Sequence, residues 1–142
     1  MNITASAVSL NVPDIEASSR FFTEHLGFTV DMSAEGFVSL ARPDAGFSVA
    51  LLSVGLASFK PASHAGPAGP GLLVAFVVDD IDAEWDRLVT EGVTVATPIE
   101  TEPWGERYFQ MLDPNGIVVQ LVQWVEVQPG AGSGAEVAAE QG

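Results

Sequence analysis

The chain has 142 residues, 47% of them hydrophobic, a net charge of −14 and no cysteine. That is enough apolar material for one domain or two small modules sharing a core, and it excludes disulfides, thiolate metal sites and cysteine nucleophiles. The five basic residues are scattered and make no phosphate-binding patch, which excludes nucleic acid as a partner, and no apolar run nears the roughly 18 residues of a membrane span.

Ser6–Val12 alternates strictly, with Val8, Leu10 and Val12 on one strand face and Ala7, Ser9 and Asn11 on the other. Asp14 has the position of a helix N-cap and Glu16 complements the dipole in the first turn. Ile15, Phe22 and Leu26 recur at helical spacing, and Gly27 supplies the stop. Phe28–Ser33, Phe37–Arg42 and Phe47–Ser53 are strand candidates separated by turn residues, so residues 1–53 form a β-α-β-β-β module. Residues 54–71 break the pattern with a Pro/Gly-rich stretch that reads as a linker or flexible loop. It has no Gly-Lys-Ser/Thr sequence, so it makes no phosphate cradle.

Residues 72–125 repeat the plan. Leu72–Val78 is a strand, Asp79 and Asp80 cap a helix, and Ile81, Trp85, Leu88 and Val89 form its apolar stripe before Gly92. Val93–Thr97, Arg107–Leu112 and Ile117–Val125 complete the second module. Residues 126–142 have no periodicity and are expected to be a disordered acidic tail. Its Glu126, Glu136 and Glu140 leave a charge of −11 on the body, which would concentrate cationic small molecules.

The two modules align so that Ala7 matches Leu73, Phe37 matches Tyr108, Ser39 matches Gln110 and Ala50 matches Gln120. A repeat of about 70 residues in two copies is too long and too few for a solenoid. The expected fold is α+β: two paired βαβββ modules forming a curled mixed sheet around a cavity, with the helices on the outer face. The helix-side residues Val8, Leu10, Val12, Val74, Phe76 and Val78 are all apolar, as that arrangement requires.

The repeated strand-Asp-Ile-helix-Gly pattern, with Pro103–Phe109 (PWGERYF) leading into Asp113-Pro114-Asn115-Gly116, resembles the vicinal oxygen chelate superfamily. That superfamily holds glyoxalases, extradiol dioxygenases and fosfomycin- and bleomycin-resistance proteins, and the Trp-Gly-Glu-Arg stretch is most similar to the bleomycin-resistance branch. The resemblance covers about residues 5–125. Its enzymes hold a divalent metal with His, Gln or Glu on inner strands, where the ion polarises vicinal oxygens. The resemblance places those ligands at Ala7, Ala50, Leu73 and Gln120. Three of the four have no donor, so no metal and no other cofactor is expected.

Other chemistry is sparse. His25 lies in the last turn of a helix and His64 in the linker, away from the cavity strands. The run Asp79, Asp80, Asp82, Glu84, Asp86 lacks the glycine and terminal Glu of a calcium loop and is explained by helix capping. The serines have no paired histidine, and no catalytic set emerges. What remains is a wall of Ala7, Ser9, Phe37, Ser39, Ala50, Leu73, Trp104, Tyr108, Gln110 and Gln120, suited to a flat, aromatic or cationic organic ligand. The expected function is metal-independent binding and sequestration of such a compound by a cytoplasmic homodimer, without nucleic acid or membrane. The alternative is a metal-free lyase, isomerase or cyclase using Glu102, Glu106 or Tyr108 as acid-base groups.

Overall fold

The computed structural model describes residues 1–126; the expected disordered tail, apart from Glu126, lies outside the described residues. In chain order the elements are β1 (Ala7–Val12), α1 (Ile15–Leu26), β2 (Thr29–Ala34), β3 (Phe37–Ala41), β4 (Ser48–Ser53), β5 (Val74–Val77), α2 (Ile81–Thr90), β6 (Thr94–Thr101), β7 (Glu106–Leu112) and β8 (Val118–Trp124). The fold is α+β, and the βαβββ order occurs twice. The chain divides into two compact units. One comprises Met1–Leu72 with the turn Asp113–Ile117, the other Leu73–Leu112 and the described residues from Val118 to Glu126.

In the first unit the sheet order is β1-β4-β3-β2, with β1 and β4 parallel and the other pairs antiparallel. A parallel pair needs a crossover, and α1 with β2 and β3 supplies it. Leu10, Val12, Leu40, Val49 and Leu51 are buried on one face, and α1 brings Phe21, Phe22 and Leu26 to the same core. Asp14 caps α1 by accepting from the Ala17 amide at 3.1 Å, worth about 1 kcal/mol. At the other end Gly27 adopts φ 71°, and the Arg42 guanidinium donates to the Leu26 carbonyl at 2.6 Å. A Cβ at Gly27 would push that guanidinium aside, but the positive φ is what favours glycine at the stop.

The turn Asp113–Ile117 is seated on the start of α1. The Asn115 side chain accepts from the Asp14 amide at 3.1 Å and donates to the Asp14 carbonyl at 2.7 Å. It also donates to the Ser18 hydroxyl, which in turn donates to the Asp113 carboxylate. Ser18 lies on the apolar stripe of α1, three residues after Ile15 and four before Phe22, and these bonds explain how a polar side chain is fully buried there.

The second unit repeats the topology as β5-β8-β7-β6, with β5 and β8 parallel. Val74, Phe109, Met111, Val119 and Leu121 are buried on the face that α2 covers with Ile81 and Leu88. Trp85 meets Phe109 edge-on with ring centroids 5.0 Å apart, so this tryptophan fills core, as its spacing predicts. Asp80 caps α2 through the Ala83 amide at 3.1 Å. Gln123 bridges the helix start, accepting from the Ile81 amide at 3.0 Å and donating to the Asp79 carbonyl at 2.9 Å. One amide side chain thus steadies each helix start.

Two segments differ from the sequence reading. The strand expected to end at Thr97 continues through Pro98 to Thr101. It is the edge strand of its sheet and its register shifts on both sides of Thr97, conditions under which a missing N–H is tolerated. The segment 54–71 is also tied back to β1 rather than merely connecting modules. The Val54 amide donates to the Val12 carbonyl at 3.1 Å, the Ala68 amide to the Asn11 carbonyl at 2.9 Å, and a single 3-10 turn spans Ala62–His64. No helix among the described residues is long and apolar enough to cross a membrane.

Candidate functional site

Because side chains alternate along a strand, each sheet has a second face opposite its helix, and the strand residues singled out in the sequence fall there, with Leu73 and Trp104 outside the strands. In the first unit the register sets Ser9 beside Ala50 and Ala50 beside Ser39. The adjacent row is Asn11, Leu52 and Phe37. Ala7 lies one row the other way, beside Ser48. Ala7 and Ser9 are exposed, Phe37, Ser39 and Ala50 half-buried, and Asn11 is buried.

The second unit carries the matching rows. Ala75, Gln120, Gln110 and Thr97 are successive register partners, and so are Val77, Val122 and Tyr108, with Tyr108 facing Glu100 on β6. The first row is a polar relay. The Thr97 hydroxyl donates to Gln110 Oε1 at 2.6 Å, and Gln110 Nε2 donates to Gln120 Oε1 at 2.9 Å. Gln120 is 7% exposed, so its amide is fixed by this chain rather than by solvent. Leu73 immediately precedes β5 and is exposed.

Tyr108 joins two carboxylates. Its hydroxyl donates to Glu100 at 2.8 Å and also contacts Glu102 at 3.3 Å. The bond to Glu100, then partial burial, then the charges of Glu100 and Glu102 raise the phenol well above its usual range, so it holds its proton. Trp104 is half-buried in the loop before β7, with Nε1 3.4 Å from Glu106 Oε1, a long bond. Arg107 points to the opposite face of β7 and is engaged there by Asp82 at 2.6 Å and the Thr101 hydroxyl at 2.8 Å. Its hydrogen bond holds the Asp82 carboxyl below the usual range. Glu100 was missed in the sequence because the strand was ended before Pro98. Asn11 was recognised on the correct face but not for the bonds its side chain makes.

The four positions implied as metal ligands do not fit a metal. Ala7, Ala50 and Leu73 offer no side-chain donor, and the Gln120 oxygen already accepts from Gln110. Among the described residues no group of three His, Asp or Glu is placed to hold an ion. His64 is exposed, its Nδ1 3.0 Å from the Ser63 hydroxyl, and His25 packs edge-on against Phe21 at 5.5 Å.

Comparison with known proteins agrees with the twice-repeated βαβββ fold. A crystal structure of a glyoxalase/bleomycin resistance protein/dioxygenase from Nocardioides is 28% identical, with a TM-score of 0.75 over 92% of this chain and 89% of that one. An antibiotic binding protein from a Streptomyces strain is also 28% identical, with a TM-score of 0.66 over 87% of this chain and 98% of the other. Lactoylglutathione lyase from Agrobacterium tumefaciens shares the fold at 20% identity, with a TM-score of 0.70 over 87% and 96% of the two chains. An uncharacterized protein of Mycobacterium bovis is 38% identical over 48 residues, 34% of this chain. The match covers about a third of the length of such curated relatives. The family profile of the Glyoxalase/Bleomycin resistance protein/Dioxygenase superfamily matches residues 4–121, and the chain belongs to that superfamily.

Proposed function

We propose that this protein binds and sequesters a flat, aromatic or cationic organic compound without a metal. The observation that carries the reading is the Tyr108 hydroxyl held between Glu100 and Glu102, with Trp104 in the loop between β6 and β7. Aromatic rings edged by carboxylates attract a delocalised cation through both the ring face and the charge. The donor-free residues at Ala7, Ala50 and Leu73 argue against the metal-centred reactions of the superfamily. The antibiotic binding protein among its structural relatives supports a sequestering role for this scaffold.

Acid-base catalysis by Tyr108 fits less well. A general acid works best when its pKa lies near the working pH, and the carboxylates push this phenol the other way. Exposed Leu73 and Val77, at 46% and 69%, favour a second copy covering this part of the second unit, and we propose a cytoplasmic homodimer.

The test is a thermal-shift screen of cationic and aromatic natural products, followed by titration of tryptophan fluorescence. A binder shows protection that grows with ligand concentration and returns the compound unchanged. Recovery of an altered compound, with the alteration abolished by Tyr108→Phe or Glu106→Gln, would replace sequestration with catalysis. A strictly monomeric mass in solution would remove the dimer.

A further inference from the structure

The buried amide of Asn11 carries the most unspent chemistry in the molecule. Asn11 is 8% exposed, and its Nδ2 donates to the carbonyls of His64 at 2.9 Å and Gly66 at 3.0 Å. Among the described residues its Oδ1 is the one buried side-chain polar atom without a hydrogen-bond partner. The amide cannot relieve this by flipping, since its oxygen would then face two carbonyl oxygens. The segment that follows β4 therefore locks the acceptor in one orientation. In the register Asn11 shares its row with Leu52 and Phe37, and its counterpart in the second unit is Val77. The acceptor is thus special to the first unit rather than a requirement of the repeated fold. A buried acceptor left unpaired is costly, and a site built this way rejects ligands that cannot supply the donor.

Resting on the proposed role as a binder of flat organic compounds, we propose that Asn11 is a ligand-selecting residue whose Oδ1 accepts a hydrogen bond from a ring N–H of an aromatic heterocycle placed along Phe37. The oxygen has no exposed surface, so entry requires a side-chain shift on this face.

Benzimidazole and 1-methylbenzimidazole, which differ in that one donor, test the proposal by calorimetric titration of the full chain. The wild type should favour benzimidazole by roughly fivefold to tenfold. Asn11→Leu should erase the preference by removing the acceptor. Equal affinity of the two probes for the wild type overturns the inference but leaves the binding role standing. A preference that survives Asn11→Leu would make Asn11 only an anchor for the 62–68 segment and overturn the inference. Failure of both probes to bind the wild type rejects the ring N–H ligand class, while the binding role is judged separately by the natural-product screen.

Discussion

The Ser18 hydroxyl donates to the Asp113 carboxylate across 95 positions of sequence, inside a region where both residues are buried. The other Asp113 oxygen accepts from the amides of Asn115 at 2.9 Å and Ile117 at 2.8 Å. One carboxylate therefore shapes the turn and holds it against α1. Asp113→Ala would strand the Ser18 hydroxyl and two backbone donors, and should cost roughly 3 kcal/mol. Ser18→Ala leaves the carboxylate its two backbone donors and should cost about 1 kcal/mol. Urea unfolding followed by tryptophan fluorescence checks the order as well as the size. Equal losses would mean that the hydroxyl, not the turn, carries the contact.

Tyr108 is the only tyrosine in the chain, so the rise of absorbance at 295 nm with pH reports it alone, above a constant tryptophan background. Its bond to Glu100 favours the protonated form, and the folded protein should show no tyrosinate transition near the ordinary midpoint of about pH 10. A group whose pKa rises on folding contributes stability that is fully present below its unfolded value. That contribution declines above about pH 10 and is gone once pH passes the folded value. Glu100→Gln should bring the transition back toward the ordinary value. A wild-type midpoint at about pH 10 would show that the phenol is not held by the carboxylates.

Much of the fold could be read because each local signal pointed the same way. Asp14 and Asp80 occupy equivalent cap positions, Gly27 follows α1, and alternation in Ser6–Val12 separates Leu10 from Ser9. The candidate site was legible only as strand parity, which assigned Tyr108, Gln110 and Gln120 to a face without revealing their partners. The missing information is long-range or runs against local propensity. Ser18 gives no sign that Asp113 will meet it, Asn11 none that residues 64–66 fold back over it, and Pro98 argued against the strand that delivers Glu100 to Tyr108.

The donor-poor residues at Ala7, Ala50 and Leu73 lead to a chemical prediction. Protein incubated with excess Zn²⁺, Ni²⁺, Mn²⁺ or Fe²⁺ and then desalted should retain no stoichiometric ion on elemental analysis, because one neutral amide is too weak a ligand alone. One tightly held ion per chain, lost on Gln120→Ala, would restore the metal-centred reading.

Charge and stacking at the Tyr108 segment can be separated with a matched pair of probes, cationic 1-methylquinolinium and neutral quinoline. Trp104→Ala removes a ring face that serves both, so each should lose about 1 kcal/mol of affinity. Glu100→Gln together with Glu102→Gln removes charge but leaves oxygen acceptors for the Tyr108 hydroxyl, whose present bonds are 2.8 and 3.3 Å. That double variant should weaken the cation alone, and should flatten the salt dependence of its binding because the screened attraction has been removed. Quinoline binding should be indifferent both to the double substitution and to salt. Loss of both probes in the double variant would mean that the carboxylates hold the loop rather than the ligand. Retention of both probes in Trp104→Ala would move the ligand away from this segment altogether.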